Sequence, residues 1–205
     1  IYSDSLSPDY QQQLERDYLN QLVNELNTLS LMGIVNQDDQ ELQRKPIPLS
    51  AVYTELDTKE PEKPELEDET QIRKQQKTEY ISALEQLNQH RKLVILGAPG
   101  SGKSTFIKFL AICMAGELLG HENLNLDTMR QRQIKKQQED WDHGGLLPIM
   151  ITLREFSARG LDSDQRITPQ TLLDFITAEW DGKVKSEFSQ ILEQKLSDGE
   201  CILFF

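Results

Sequence analysis

Cysteine is scarce in this chain: Cys113 and Cys201 are the two thiols in 205 residues. One lies on the apolar side of a helical segment and the other opens a terminal apolar run. That argues against a disulfide and reads as two small core residues of a reducing compartment. Histidine is nearly as sparse. His90, His121 and His143 stand singly, without metal-ligand spacing to one another or to the cysteines, and read as surface or loop residues. No apolar run approaches the ~18–20 residues that a membrane-crossing helix needs. No signal peptide opens the chain, and Ile1 is not an initiator methionine, so the expectation is a segment cut from a longer cytoplasmic protein. Basic residues are in deficit, 22 against 34 acidic ones, for a net charge of −12. That balance argues against non-specific nucleic-acid or anionic-membrane binding by this segment.

What is present suits one to two domains with a sizeable core: 37% hydrophobic and 27% charged residues. Residues 1–34 read as an amphipathic helical linker. Ser7-Pro8 has the look of an N-cap with proline at the first helical position. Tyr10, Leu14, Tyr18, Leu22 and Leu26 recur every four residues, widened by Leu19, Val23 and Leu29, up to Gly33. Such a helix either packs on the neighbouring domain or connects to a further N-terminal module; the start at Ile1 favours the connector. Residues 35–89 form a second segment. Residues 51–56 are strand-like, residues 57–70 are an acidic loop with Pro61 and Pro64, and residues 71–89 are a helix with Ile81, Leu84 and Leu87 on its apolar side. Residues 90–205 carry the main motif.

That motif is Gly97-Ala98-Pro99-Gly100-Ser101-Gly102-Lys103-Ser104, followed by Thr105. It is the phosphate-binding pattern Gly-x-x-x-x-Gly-Lys-Ser. Its context fits: residues 91–96 include the apolar run Leu93-Val94-Ile95-Leu96 of a buried parallel strand, and residues 105–119 read as a helix apolar on most sides. Gly97, Gly100 and Gly102 let the backbone take positive φ and approach a ligand closely. The turned amides form an anion nest, and the helix start adds its positive dipole end. Lys103 would reach the β- and γ-phosphates of a nucleotide as a point charge, and the Ser104 hydroxyl would ligate Mg2+. Thr105 would sit by the α-phosphate, and Pro99 stiffens the loop.

Further along, residues 120–145 are polar, with Arg130, Arg132, Lys135 and Lys136 among glutamines. A solvated insert helix is favoured there over a basic ligand patch. Residues 146–153 read as a second buried strand ending at Arg154. Thr168-Pro169 starts another helix, and Phe188, Ile191, Leu192 and Leu196 mark one more, stopped by Gly199. Cys201-Ile202-Leu203-Phe204-Phe205 is a last apolar strand. The order of strand, loop, helix, strand, helices and strand is α/β with a parallel sheet. In NTPases of this order a later strand carries a Mg2+-holding Asp at its tip, expected here just after Phe205.

Three pieces together resemble the NACHT family of STAND NTPases. They are residues 92–110 around the loop, Leu147-Pro148-Ile149-Met150-Ile151-Thr152-Leu153-Arg154-Glu155-Phe156, and the terminal Ile202-Leu203-Phe204-Phe205. Pro48-Leu49-Ser50-Ala51-Val52-Tyr53 also looks like the segment that precedes NACHT domains in bacterial proteins. The resemblance implies the first part of a three-layer, parallel-sheet nucleotide-binding domain and a regulatory switch. ADP would hold it inactive, exchange to ATP would favour homo-oligomers, and these would gather an effector, in anti-phage defence or innate immunity. Effector, sensor and Walker B acids would lie outside this sequence. The resemblance also implies a place for Arg154 near the nucleotide, the alternative being an ion pair with an acidic neighbour. It makes Val52 and Tyr53 candidates to cover the adenine, the alternative being core packing. Competing readings of the loop are a nucleotide or small-molecule kinase and an AAA-like remodelling ATPase.

Overall fold

A computed structural model of the chain describes residues 6–29, 47–53, 57–58, 81–131, 141, 143–160, 167–178, 180 and 182–205. The first helix, α1 (Pro8–Leu26), starts as its sequence dictates. Ser7 is extended, its hydroxyl accepts from the Tyr10 amide at 3.4 Å, and Pro8 fills the first helical position, where no N–H is needed. Its stripe of Leu14, Tyr18, Leu19, Leu22 and Val23 is buried. Tyr10, expected in the stripe, lies toward the surface and donates its hydroxyl to Glu187 at 2.9 Å.

Asn27 ends α1 and also organises the elements after it. Beyond the antiparallel pair β1 (Thr28–Leu29) and β2 (Ile47–Pro48) comes the short helix α2 (Leu49–Val52). The Leu49 amide donates to the Asn27 carbonyl at 2.9 Å, and the Ser50 amide donates to Asn27 Oδ1 at 3.2 Å. The strand expected from residue 51 is therefore a helical turn through Val52. Its leading amides are capped by a residue distant in sequence, and a cap favours helix over strand. Residues 54–56 lie outside the described residues. A second antiparallel pair joins β3 (Asp57–Thr58) to β4 (Ile81–Ser82). The helix α3 (Ala83–Gln89) comes next, with Leu84 buried and Leu87 partly so. Ile81, expected on that helix, is in β4, and residues 71–80 lie outside the described residues.

The later elements are α4 (Lys103–Leu119), α5 (Leu126–Gln131), β5 (Leu147–Met150), α6 (Leu153–Gly160), α7 (Pro169–Ile176), α8 (Gly182–Asp198) and β6 (Cys201–Phe204). α4 is the axis of the molecule, buried on most sides because it borders two apolar clusters. In one cluster Ala115 and Leu119 meet the α1 stripe, Leu147 and Ile149 of β5, Leu173 of α7, and Phe188 and Leu192 of α8. In the other, Phe106, Phe109 and Leu110 meet Leu49, Tyr53, Leu84, Trp141 and Phe204. Gly116 allows the chain after α4 to double back, since a Cβ there would stand 1.8 Å from the Leu124 carbonyl oxygen. Cys113 is fully buried in α4 and Cys201 is half-buried; neither is in a disulfide. His90 and His121 are exposed as expected. His143 is half-buried, with Nε2 2.9 Å from the Leu87 carbonyl oxygen and its ring edge-on to Trp141.

β5 and β6 are parallel, in the register Leu147↔Cys201 to Met150↔Phe204. Parallel neighbours require a long crossover, which α6, α7 and α8 supply. α7 begins with the expected cap: Thr168 Oγ1 accepts from the Thr171 amide at 3.2 Å, with Pro169 behind it. α8 stops at Gly199, whose φ of 75° few other residues adopt. The second strand ends earlier than expected. Leu153 and Arg154 are the first turn of α6, because the Thr152 carbonyl accepts from the amides of Glu155 and Phe156 at 2.9 Å each. The described chain is thus α/β, with a small parallel sheet and many helices, compatible with an incomplete phosphate-loop NTPase fold. Among the described residues no helix is long and apolar enough to cross a membrane.

Candidate phosphate-binding site

The glycine-rich loop follows residues 91–96 and leads into α4. Residues 93–96, expected as a buried strand, form no ladder with any described strand. Ile95 packs on the α4 cluster, whereas Val94 and Leu96 are 81% and 87% exposed. The alternation is that of a strand, but burial in a parallel sheet needs neighbours on the edges and helices on both faces. β5 and β6 pair with each other, and no described strand reaches this segment.

The loop itself is tightly turned. The Ser101 amide donates to the Ala98 carbonyl at 3.2 Å. Gly100 and Gly102 have φ of 78° and 88°, left-handed values that cost a side-chain-bearing residue about 1–2 kcal/mol. Gly97 differs from the expectation, since it is not among the positive-φ glycines. Its reason for lacking a side chain is crowding: a Cβ would stand 2.9 Å from Ser101 Oγ and 3.7 Å from Lys103 Nζ.

Gly102 is the N-cap of α4 and offers no side chain to the helix start. The leading amides of α4 therefore point outward with no side-chain cap, carrying the positive end of a 17-residue helix. Lys103, the first residue of that helix, folds back over the loop. Its Nζ donates to the carbonyls of Gly97 and Ala98 at 2.7 and 2.8 Å and to Ser101 Oγ at 3.1 Å. Among the described residues no carboxylate pairs with it. An unneutralised ammonium, an uncapped helix start and two left-handed glycines make an anion site. Ala98, Pro99, Ser104 and Thr105 are exposed beside it, within reach of a ligand from solvent. This donor set fits a polyphosphate, with the Ser104 hydroxyl as the oxygen available to a hard cation.

Residues outside the loop are arranged otherwise. Arg154 is exposed on the first turn of α6, forms no ion pair among the described residues, and makes no described contact with the loop. Tyr53 is buried, its ring stacked on Phe109 with centroids 4.0 Å apart at 16°, so it is occupied in core packing. Val52 lies in α2. Of the basic residues, Arg132, Lys135 and Lys136 fall outside the described set. The contact of Ser101 with Lys103 was not anticipated from the sequence; a hydroxyl two residues before the lysine is the signal that could have suggested it.

Residues 75–143, about a third of the chain, match the family model for Novel STAND NTPase 3. That segment is similar to STAND-class NTPases. The whole glycine-rich loop and α4 lie inside the match, which supports the class of nucleotide-binding regulatory NTPases, with the nucleotide and divalent-cation use such a class implies. The match does not single out the NACHT branch. Comparison with curated proteins and with solved structures gave no match.

Proposed function

We propose that this chain is the nucleotide-binding segment of a STAND switch of the NACHT type. ATP or ADP would be held on residues 97–105, with Mg2+ on the Ser104 hydroxyl. The observation that carries the reading is the Lys103 ammonium, unpaired with any described carboxylate, over an uncapped helix start within a STAND-class segment. Gly97, Gly100 and Gly102 would admit the phosphate chain, the amides of Gly102 to Thr105 would face it, and Lys103 would offset its charge. Arg154 would approach the nucleotide only in another arrangement of α6. The three-layer parallel sheet proposed for the complete domain would continue through residues 93–96, which the exposed Val94 and Leu96 support.

In this reading nucleotide state governs assembly. ADP favours the inactive form, ATP favours homo-oligomers, and these gather an effector in a cytoplasmic defence response, with slow turnover. Neither a membrane nor nucleic acid is a partner of this segment. Calorimetry of the folded chain with ATP, ADP, GTP and GDP, each with Mg2+, tests the site. Binding is expected in wild type and lost in Lys103→Ala, with the melting temperature unchanged because the ammonium is at the surface. Wild-type affinity in the variant, or silence with all four nucleotides, sinks the site. Size-exclusion chromatography of the full-length protein tests the switch, and a monomer with every nucleotide sinks it. Rapid phosphoryl transfer to a nucleoside monophosphate would instead mark a kinase.

A further inference from the structure

We propose that Ser101 is a positioning residue that parks Lys103 on its own loop and sets how readily the loop accepts a phosphate. The inference rests on the reading of residues 97–105 as a phosphate site. A lysine ammonium has three donors and no acceptor. All three are engaged: Gly97 O at 2.7 Å, Ala98 O at 2.8 Å and Ser101 Oγ at 3.1 Å. An arriving phosphate therefore finds the charge but no free N–H on Lys103, and one of these bonds must open.

The three differ in how they can open. The two carbonyls are fixed by the backbone, and Ala98 O is also tied to the Ser101 amide. Ser101 Oγ is the longest of the three contacts and sits on a single rotatable bond. Gly97 leaves room for it, since a Cβ there would collide with that oxygen at 2.9 Å. The hydroxyl is thus seated against the loop, where it accepts from Lys103. Opening this contact frees one N–H for phosphate while the two carbonyls keep the ammonium in place. Ser101 acts through Lys103 and needs no contact of its own with the ligand.

Removing the hydroxyl should then help binding. Ser101→Ala leaves one donor of Lys103 to water, which a phosphate displaces without opening a bond inside the loop. Stopped-flow association of N-methylanthraniloyl-ADP with the full chain should speed up roughly three- to tenfold, the worth of one modest hydrogen bond, with dissociation nearly unchanged. Ser101→Thr, which keeps the hydroxyl, should return toward wild type. Slower association or faster release in Ser101→Ala overturns the proposal, because it makes Ser101 a direct ligand contact. An unchanged rate overturns it as well.

A second readout needs no nucleotide. In a proton–nitrogen spectrum of the lysine side chains, the parked ammonium exchanges slowly enough to be seen, and its resonance is identified by its loss in Lys103→Ala. It should broaden beyond detection in Ser101→Ala and persist in Ser101→Thr. Persistence in Ser101→Ala overturns the proposal. If the spectra behave as expected but no nucleotide binds wild type, the nucleotide reading fails while the parked lysine stands.

Discussion

The Tyr18 hydroxyl donates to the Pro148 carbonyl oxygen at 3.0 Å, inside the core and across 130 residues of sequence. Leu147 and Ile151 donate their amides to Glu200, just before β6, and to Phe204 at its end, so Pro148 between them faces the opposite edge of β5. A proline there breaks no ladder bond, and the carbonyl beside it, which has no strand to bond, is taken by Tyr18. α1 thereby closes one edge of the sheet, and extension is left to the β6 side. Tyr18→Phe keeps the ring against Phe188 but leaves a buried carbonyl unpaired. The expected loss is about 1–2 kcal/mol of unfolding free energy, read from urea denaturation. A change within error would mean that water satisfies the carbonyl.

Tyr53 discriminates between a core and a ligand role. Its ring lies on Phe109, which is fully buried in α4. Tyr53→Ala should cost about 3–5 kcal/mol, the range for deleting a buried aromatic ring, and should shift nucleotide affinity only as far as stability does. If the folded variant lost affinity at unchanged stability, Tyr53 would be covering the base after all.

Much of this was legible in local chemistry. Ser7-Pro8 and Thr168-Pro169 announced helix starts because a hydroxyl cap and a donor-less first position act within three residues. Gly102 and Lys103 announced the loop because positive φ and a positive charge are properties of single residues. What was not legible came from distant partners. Residues 51 and 52 read as strand by composition, but Asn27, more than twenty positions earlier, supplies the cap that makes them helical. The unpaired state of residues 93–96 depends on which strands come alongside, which periodicity within one run does not encode. The crowding at Gly97 depends on where the Ser101 hydroxyl turns, a matter of rotamer and not of spacing.

Gly97 and Gly100 should therefore respond differently to substitution. Gly100→Ala meets nothing within 4 Å but must hold φ at 78°, costing about 1 kcal/mol and disturbing the turn. Gly97→Ala carries no such strain, but its methyl group displaces Ser101 Oγ from its contact with Lys103, while the Gly97 and Ala98 carbonyls still hold the ammonium. Thermal melts should separate them, with Gly100→Ala lower and Gly97→Ala near wild type. Nucleotide affinity should fall in Gly100→Ala, on the order of tenfold, the equivalent of one charge-assisted hydrogen bond, whereas Gly97→Ala should bind faster, as Ser101→Ala does. Equal melting temperatures would count against the left-handed turn at Gly100.

Alkaline pH should loosen the sheet in two stages. Burial pushes the Cys201 thiol from its ordinary 9.0 up to about 11; Lys195 draws it back, and Glu200 and Glu15 raise it further. Burial likewise raises the Tyr18 phenol above its ordinary 10.0, helped by Cys201 nearby and opposed by the Met150 backbone. Both groups keep their protons longer in the folded chain than in the unfolded one, so the unfolded state gains from deprotonation first. Their contribution is complete below pH 9, falls as Cys201 ionises in the unfolded chain between pH 9 and about 11, and falls further above pH 10 as Tyr18 joins. The thiol is only half-buried, so its share is on the order of 1 kcal/mol after solvent screening. Denaturation midpoints across this range should decline in wild type. Cys201→Ala should flatten the first stage, and Tyr18→Phe the second. A decline that neither variant alters would place the alkaline sensitivity in other groups.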